Sequence, residues 1–418
     1  MQYNRHIHRK YNIIQYTPHI QKSLIQTMQY KHPCKKNFSH TKDAIKDPPV
    51  NTVQGEMMQN IFNDCWAKTN AIEVKHDNKF RPCCVFKGKS VQFDRSIDNT
   101  LSKFHTLDDK QVASACSYCI DKSKVEPVGR KVLLDRYKQQ GYEFFYDLQL
   151  SNVCNLACTM CNSEYSSKWV KLGQQLNKDY LIGFNKTSNT TWNKDIANKV
   201  VTDINNKSML GNVVVSIKGG EPTVQPEVIE FFNALKHKHH VHLHIVTNLQ
   251  RWPVWFDTML HKFKSVKITV SIEGIEETYE YSRVYGSWKS FDTNVKQLES
   301  AAKQSNISWS FGPLITAHTV GDTSRTFNYI KQYRYGDISN FVYSPIYVNP
   351  TILPDDITHA IVEDMHGQFD LLKQSMINTK HNKQQFENFI DYTKQLDKIL
   401  NTQFIDTPTG KYFKHYFK

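Results

Sequence analysis

From residue 143 onward, short apolar runs alternate with amphipathic stretches. Phe144–Leu150, Val213–Lys218, Val241–Thr247, Val266–Ile272, Ser308–Thr316 and Asn340–Tyr347 are short and rich in β-branched and aromatic residues, the pattern of strands. Between them, Glu164–Gln175, Glu227–His237, Trp255–Phe263, Ser290–Gln304 and Ser324–Tyr335 place apolar residues at helical spacing. This order predicts an α/β fold in which β/α units build a parallel sheet. The flanks read differently. Residues 1–60 show no period and carry Lys46-Asp47-Pro48-Pro49, so a disordered basic tail is expected there. Residues 61–130 are turn-rich, with no run long enough to bury a core alone. The core domain spans 140–350, and 351–418 reads as a helical extension with a basic end. Residues 181–210 are polar and Asn-rich and are expected to form an insertion before the second strand. No internal repeat is seen.

Composition changes this picture in two places. Hydrophobic residues make up 39% of the 418, enough for a real core. No stretch approaches the roughly 18–20 apolar residues of a membrane span, so a soluble, cytoplasmic protein is expected. The net charge of +13 is uneven: residues 1–42 hold eight Lys and Arg and no Asp or Glu. Such an arm reads as a solvated tail or as sequence ahead of a start near Met57 or Met58. A targeting peptide or a nucleic-acid-binding arm are the sharper alternatives.

The nine cysteines are odd in number, and the sequence shows no secretory signal, which argues against a disulfide framework. Clustered thiols then read as metal ligands. Cys154, Cys158 and Cys161 follow the first strand directly, at x3 and x2 spacing. In a parallel β/α fold, ligand sites form beyond the carboxyl ends of strands. Three thiols are too few to close a zinc site or a cubane cluster. They suit a cluster with one iron left open to an outside ligand, or zinc with a distant fourth ligand.

This triplet resembles the Cys-x3-Cys-x2-Cys signature of the radical S-adenosylmethionine (SAM) superfamily, with Met160 where an aromatic residue is common. Later strand ends agree. Gly219-Gly220-Glu221-Pro222 resembles the family's Gly-Gly-Glu-Pro motif, Thr247-Asn248 its Thr-Asn turn, and Ser271-Ile-Glu273-Gly274 its Ser-x-Asp-Gly strand end. Arg283-Val-Tyr-Gly286 resembles Arg-x-x-Gly. The resemblance implies a partial (β/α)6 TIM-like barrel and a [4Fe–4S] cluster on Cys154, Cys158 and Cys161. SAM would be held by Met160, Gly219, Gly220, Glu221, Pro222, Asn248, Ser271, Glu273 and Arg283, with Glu221 accepting from the methionine ammonium.

The remaining cysteines resemble a twitch or SPASM-like auxiliary-cluster module placed ahead of the barrel. Cys65-Trp66, the Asn78 turn leading to Cys83-Cys84, and Cys116-x2-Cys119 carry that likeness. It implies a small N-terminal Cys-rich auxiliary domain with a second [4Fe–4S] cluster on Cys65, Cys83, Cys116 and Cys119, and Cys84 as alternate. The same four thiolates would also serve zinc. Cys34 is read as a bystander.

By resemblance, the chain is an enzyme that cleaves SAM reductively to a 5′-deoxyadenosyl radical for hydrogen abstraction from a peptide or protein. An external one-electron reductant such as flavodoxin or ferredoxin would serve it. Two other readings stay open: a radical SAM enzyme acting on RNA or a small metabolite, and a non-catalytic zinc-binding interaction protein.

Overall fold

The alternating runs fold into a mostly parallel sheet flanked by helices. The computed structural model describes residues 65–119, 130–176, 181, 183–184, 188–303, 306–333, 345–366 and 369–417. The expected basic tail, residues 120–129 and most of the Asn340–Tyr347 run lie outside the described residues. The strands are β1 (Ala71–Val74), β2 (Phe80–Arg81), β3 (Phe144–Leu148), β4 (Ala157–Cys158), β5 (Val213–Ile217), β6 (Val241–Thr247), β7 (Ser265–Ile272), β8 (Arg283–Val284) and β9 (Ile307–Pro313). The main sheet runs β2-β1-β3-β5-β6-β7-β9, parallel throughout except for the β1–β2 pair, while β4 and β8 form a separate antiparallel pair. Among the described residues no helix is long and apolar enough to cross a membrane.

Side chains alternate across the sheet, and the two faces differ sharply. Tyr146, Leu148, Val215, Ile217, Leu243, Ile245, Ile268 and Val270 join one large buried cluster under the helices. The other face carries Glu73, Asp147, Ser216 and His244 in register, with Thr269 and Ser271 of β7 further along it, where His244 Nε2 meets Thr269 Oγ1 at 2.9 Å. Beyond the carboxyl ends of these strands lies the cysteine loop.

Two features go beyond the sequence expectation. The expected insertion at 181–210 contains a helix, Lys194–Leu210, capped by the Asn193 side chain accepting from the Ile196 amide at 2.8 Å. Ile196, Val200 and Ile204 recur at four-residue spacing and are buried in the main cluster. With Val201 and Ala197 beside them the apolar stripe is still narrow, so Asn, Asp and Lys swamp it in the sequence. The Cys-rich segment, read in the sequence as a small auxiliary module, is joined to the sheet. Its strand β1 pairs in parallel with β3, and Phe80, Phe86, Leu101 and Phe104 pack into the main cluster. Asn78 adopts the left-handed conformation its turn requires (φ 62°).

A buried charge network fixes that junction. Glu73 on β1 is 0% exposed. Its carboxylate accepts from Arg81 Nε at 2.6 Å and Gln149 Nε2 at 3.1 Å, and Lys218 Nζ lies 3.7 Å away. Lys218 also pairs with Asp147 at 2.7 Å. Glu73→Ala should therefore destabilise the chain by about 3 kcal/mol, because it leaves the largely buried Arg81 guanidinium without its carboxylate while Lys218 keeps Asp147. Urea unfolding will measure this, and Glu73→Met with Arg81→Met should recover most of the loss.

The C-terminal region is helical, as the sequence suggests: Asp355–Asp364, Asp370–Asn378 and Lys383–Leu400. These helices enclose their own apolar cluster around Phe389, Phe404 and Phe413. His318 is buried against the Phe389 and Phe404 rings, and its Nε2 meets Thr393 Oγ1 at 2.9 Å. Burial lowers its pKa to about 3. The unfolded chain takes up this proton near pH 6.5, so His318 favours the unfolded state progressively as pH falls from about 6.5 towards 3. Asp322, raised to about 6 by burial, slopes the opposite way. The comparison of wild type with His318→Phe isolates the histidine: the variant should lack about 1.4 kcal/mol per pH unit of acid destabilisation in that window.

Candidate functional site

The loop after β3 has little regular structure, so other parts of the chain satisfy its polar groups. Asn152 is fully buried. Its Nδ2 donates to Ser163 O at 3.1 Å, and its Oδ1 accepts from Thr190 N at 2.9 Å. The Cys154 amide donates to Ser167 Oγ at 3.0 Å, and Ser166 Oγ donates to Leu156 O at 2.6 Å. Cys158 lies on β4, opposite Arg283 of β8. Trp169 Nε1 donates to Cys158 O at 3.0 Å, and Tyr392 Oη, from the helix Lys383–Leu400, donates to Thr159 O at 2.8 Å.

This frame turns Cys154, Cys158 and Cys161 towards one cavity of about 250 Å³. Its other walls include Gly219, Gly220, Glu221, Thr247, Asn248, Ser271 and Arg283. Motifs from β3, β5, β6 and β7 thus meet beyond the carboxyl ends of the strands. Burial raises all three thiols: Cys154 to about 11, Cys161 to about 12, and Cys158 well above its ordinary value, with Arg283 opposing the rise. Metal binding here must displace thiol protons.

The glycines are required. Gly219 and Gly220 have φ of 79° and 58°. A Cβ on Gly220 would lie 2.5 Å from Val153 O and 2.4 Å from Gln225 Nε2. Glu221 is 1% exposed and ties its own turn to the end of β6. Its Oε1 accepts from Thr223 N, Thr223 Oγ1 and Thr247 Oγ1, and its Oε2 from Asn248 N at 2.7 Å. Burial raises its pKa against the pull of those donors. A carboxylate offers about four acceptor positions, so Oε2 keeps one open.

Arg283 and Glu273 pair with each other. The guanidinium holds the carboxylate in a two-pronged contact, Nη2 to Oε1 at 2.7 Å, and both residues are 5% exposed. Arg283 Nη1 donates to Cys158 Sγ at 3.8 Å. Arg283 lines the cavity, whereas Glu273 stands behind it. Met160 and Pro222 are not among the lining residues. Met160 packs, partly buried, with Cys161 against a cluster that includes Trp169, Tyr347 and Tyr392, and Pro222 opens a short 3-10 turn. Tyr165, Leu156, Ser166, Val246 and Thr247 also line the cavity. Thr247 could have been found, since it belongs to the Thr-Asn turn. Tyr165 sits in no motif.

The donor set fits an iron–sulfur cluster with one open iron. No fourth thiol or imidazole lines the cavity. Among the described residues, no three His, Cys, Asp or Glu side chains converge on a single metal-ion position. In a cubane cluster each thiolate takes its own iron, so sulfurs spaced around a cavity suit it better than a single point would. In the Cys-rich segment, Cys116 lies in the field of Cys65 and Cys119, and its pKa is raised to about 12 by burial first. Cys65 and Cys83 pack against the same small apolar cluster of Trp66, Ala67 and Phe145. Cys84 lies near Arg81.

Arg283→Met should leave Glu273 buried without its partner and cost about 3–5 kcal/mol. The pair Arg283→Met and Glu273→Met should be closer to wild type. Chemical denaturation of the metal-free chain reads both.

Comparison with known proteins gives one family match: residues 148–330 fit the model of the Radical SAM superfamily. No curated protein matches the chain. Among solved structures, native anSMEcpe with bound AdoMet is 18% identical with a TM-score of 0.35, over 56% of this chain and 61% of that one. The same enzyme with AdoMet and the Cp18Cys peptide is 15% identical at TM-score 0.33, over 56% and 60%. Streptococcus suis SuiB bound to S-adenosylmethionine is 13% identical at TM-score 0.28, over 75% and 70%. The alignment thus spans about three fifths of the anSMEcpe chain.

Proposed function

We propose, from the premise that residues 148–330 form a radical SAM domain, that this chain carries a [4Fe–4S] cluster on Cys154, Cys158 and Cys161 and uses it to cleave SAM. The carrying observation is that these three thiols share one cavity with the Gly219-Gly220-Glu221 turn and Ser271. Such a cluster supplies the electron that splits SAM into methionine and a 5′-deoxyadenosyl radical able to abstract hydrogen from an unactivated carbon.

The chain's own residues do the rest. The three thiolates hold three corners. Gly219 and Gly220 let the backbone approach the methionine moiety, and the open position on Glu221 Oε2 accepts from its ammonium. Ser271 offers a hydroxyl to the ribose. Arg283 donates to the Cys158 sulfur and is itself fixed by Glu273. The substrate reading is a peptide or protein, entering along the polar face of the sheet. An external one-electron reductant such as flavodoxin or ferredoxin completes the cycle. Cys65, Cys83, Cys116 and Cys119 form a second site for [4Fe–4S], which the nearness of Cys65 and Cys119 to Cys116 supports.

Anaerobic reconstitution with iron, sulfide and zinc assays tests both sites. The expected result is a brown, oxygen-sensitive protein that yields 5′-deoxyadenosine from SAM. Cys158→Ala should abolish that product and keep part of the iron, held at the second site. Persistent cleavage in Cys158→Ala would reject the assignment, and a colourless protein with zinc alone would reject the radical reading.

A further inference from the structure

The pole opposite the cavity has a different chemistry. β6 is entered through Lys236-His237-Lys238-His239-His240 and β7 through His261-Lys262-Phe263-Lys264. The two entry segments lie side by side, because the Lys264 amide donates to Lys238 O at 3.1 Å and to Val241 O at 3.0 Å. The His239 and His240 rings are 4.4 Å apart, and those of His237 and His239 6.2 Å. Lys262 sits close enough to oppose the charge of Lys238, and Lys264 that of His240.

Little nearby offsets these charges. No Asp or Glu occurs between Glu230 and Asp257, or between Asp257 and Glu273. Glu143, at the start of β3, is an acid on the same side of the sheet. Lys236, His239, Lys262 and Lys264 are exposed. Like charges gathered this way destabilise the compact state until a polyanion relieves them. The apolar residues of the two segments, Leu235, Val241, Leu260 and Phe263, are all buried. Protein partners dock on apolar or aromatic anchors and avoid lysine-rich centres; the two segments themselves expose no such anchor, and the exposed Met209 and Leu210 beside them belong to the end of the helix Lys194–Leu210. A repeating phosphate backbone asks only for spaced cations.

We infer that this pole is a docking surface for nucleic acid, held through its phosphates without reading bases. β6 is seven residues long, which puts the surface about 20 Å from the cavity end of the strand. The bound strand would therefore tether the protein and take no part in the cavity chemistry. The inference stands whether or not the proposed reaction does.

Fluorescence anisotropy of a short labelled oligonucleotide with the full chain, followed over a salt series, tests it. The key variant is Lys236→Glu with Lys262→Glu and Lys264→Glu. Lys238 is left in place because its ammonium donates to Leu235 O at the end of the preceding helix. Wild type should bind with a steep salt dependence. The variant should bind at least about tenfold more weakly at low salt, and its log–log slope should shrink by about 2, from about 0.7 per lost phosphate contact on a single strand. Its melting temperature should be equal or higher, since repulsion is eased. Should the glutamates prevent folding, the Lys→Gln triple variant carries the same slope test. Unchanged affinity and slope would overturn the inference and move the binding elsewhere, such as to the basic stretch of residues 1–42. Tighter binding to vesicles of anionic lipid or to polyglutamate than to the oligonucleotide would also overturn it.

Discussion

Three sulfur atoms on an irregular eight-residue loop have to face one cavity, and most of the molecule answers to that demand. The loop has no helix or sheet ladder of its own beyond the two residues of β4. Its backbone is held by borrowed partners: Ser167, Ser282, Trp169 and Tyr392, from segments far apart in sequence. Each partner is in turn placed by packing, so the geometry of the loop is inherited from the fold around it.

Buried charge is used in the same way at two levels. Glu73, Arg81, Lys218 and Asp147 join the Cys-rich segment to the sheet, while Glu273 and Arg283 brace the cavity wall behind Cys158. Neither set is evidence of extra stability, because desolvation offsets much of the attraction. What they provide is a fixed geometry: removing one partner leaves a charge with nowhere to go. Glu221 works likewise, since its four donors come from the turn after β5 and the end of β6.

Much of this was legible in the sequence, for identifiable reasons. β6 matches its apolar run residue for residue, and β3, β5 and β7 start or end within two residues of theirs. These strands are buried on one or both faces, so composition alone marks them. β1 was not legible. Four residues with a glutamate among them do not read as a strand, and that glutamate is tolerable only because Arg81, Gln149 and Lys218 surround it. Lys194–Leu210 was hidden by its polar sides. At the site, the triplet and the glycine turn declare themselves because their chemistry demands particular residue types. Tyr165 does not, since its place is set by the turn it supports, its carbonyl accepting from Gly220 N; nor does the mutual capture of Glu273 and Arg283, which depends on how β8 lies beside the end of β7.

The tie between Tyr392 and Thr159 spans 233 residues. During synthesis, at roughly 5–20 residues per second, the cysteine loop emerges on the order of tens of seconds before the helix that pins it. Until then it is a slack strap with one anchor missing. The loop's other anchors, Ser167, Trp169 and Ser282, are all made earlier, so this last one is the step that waits for the end of the chain.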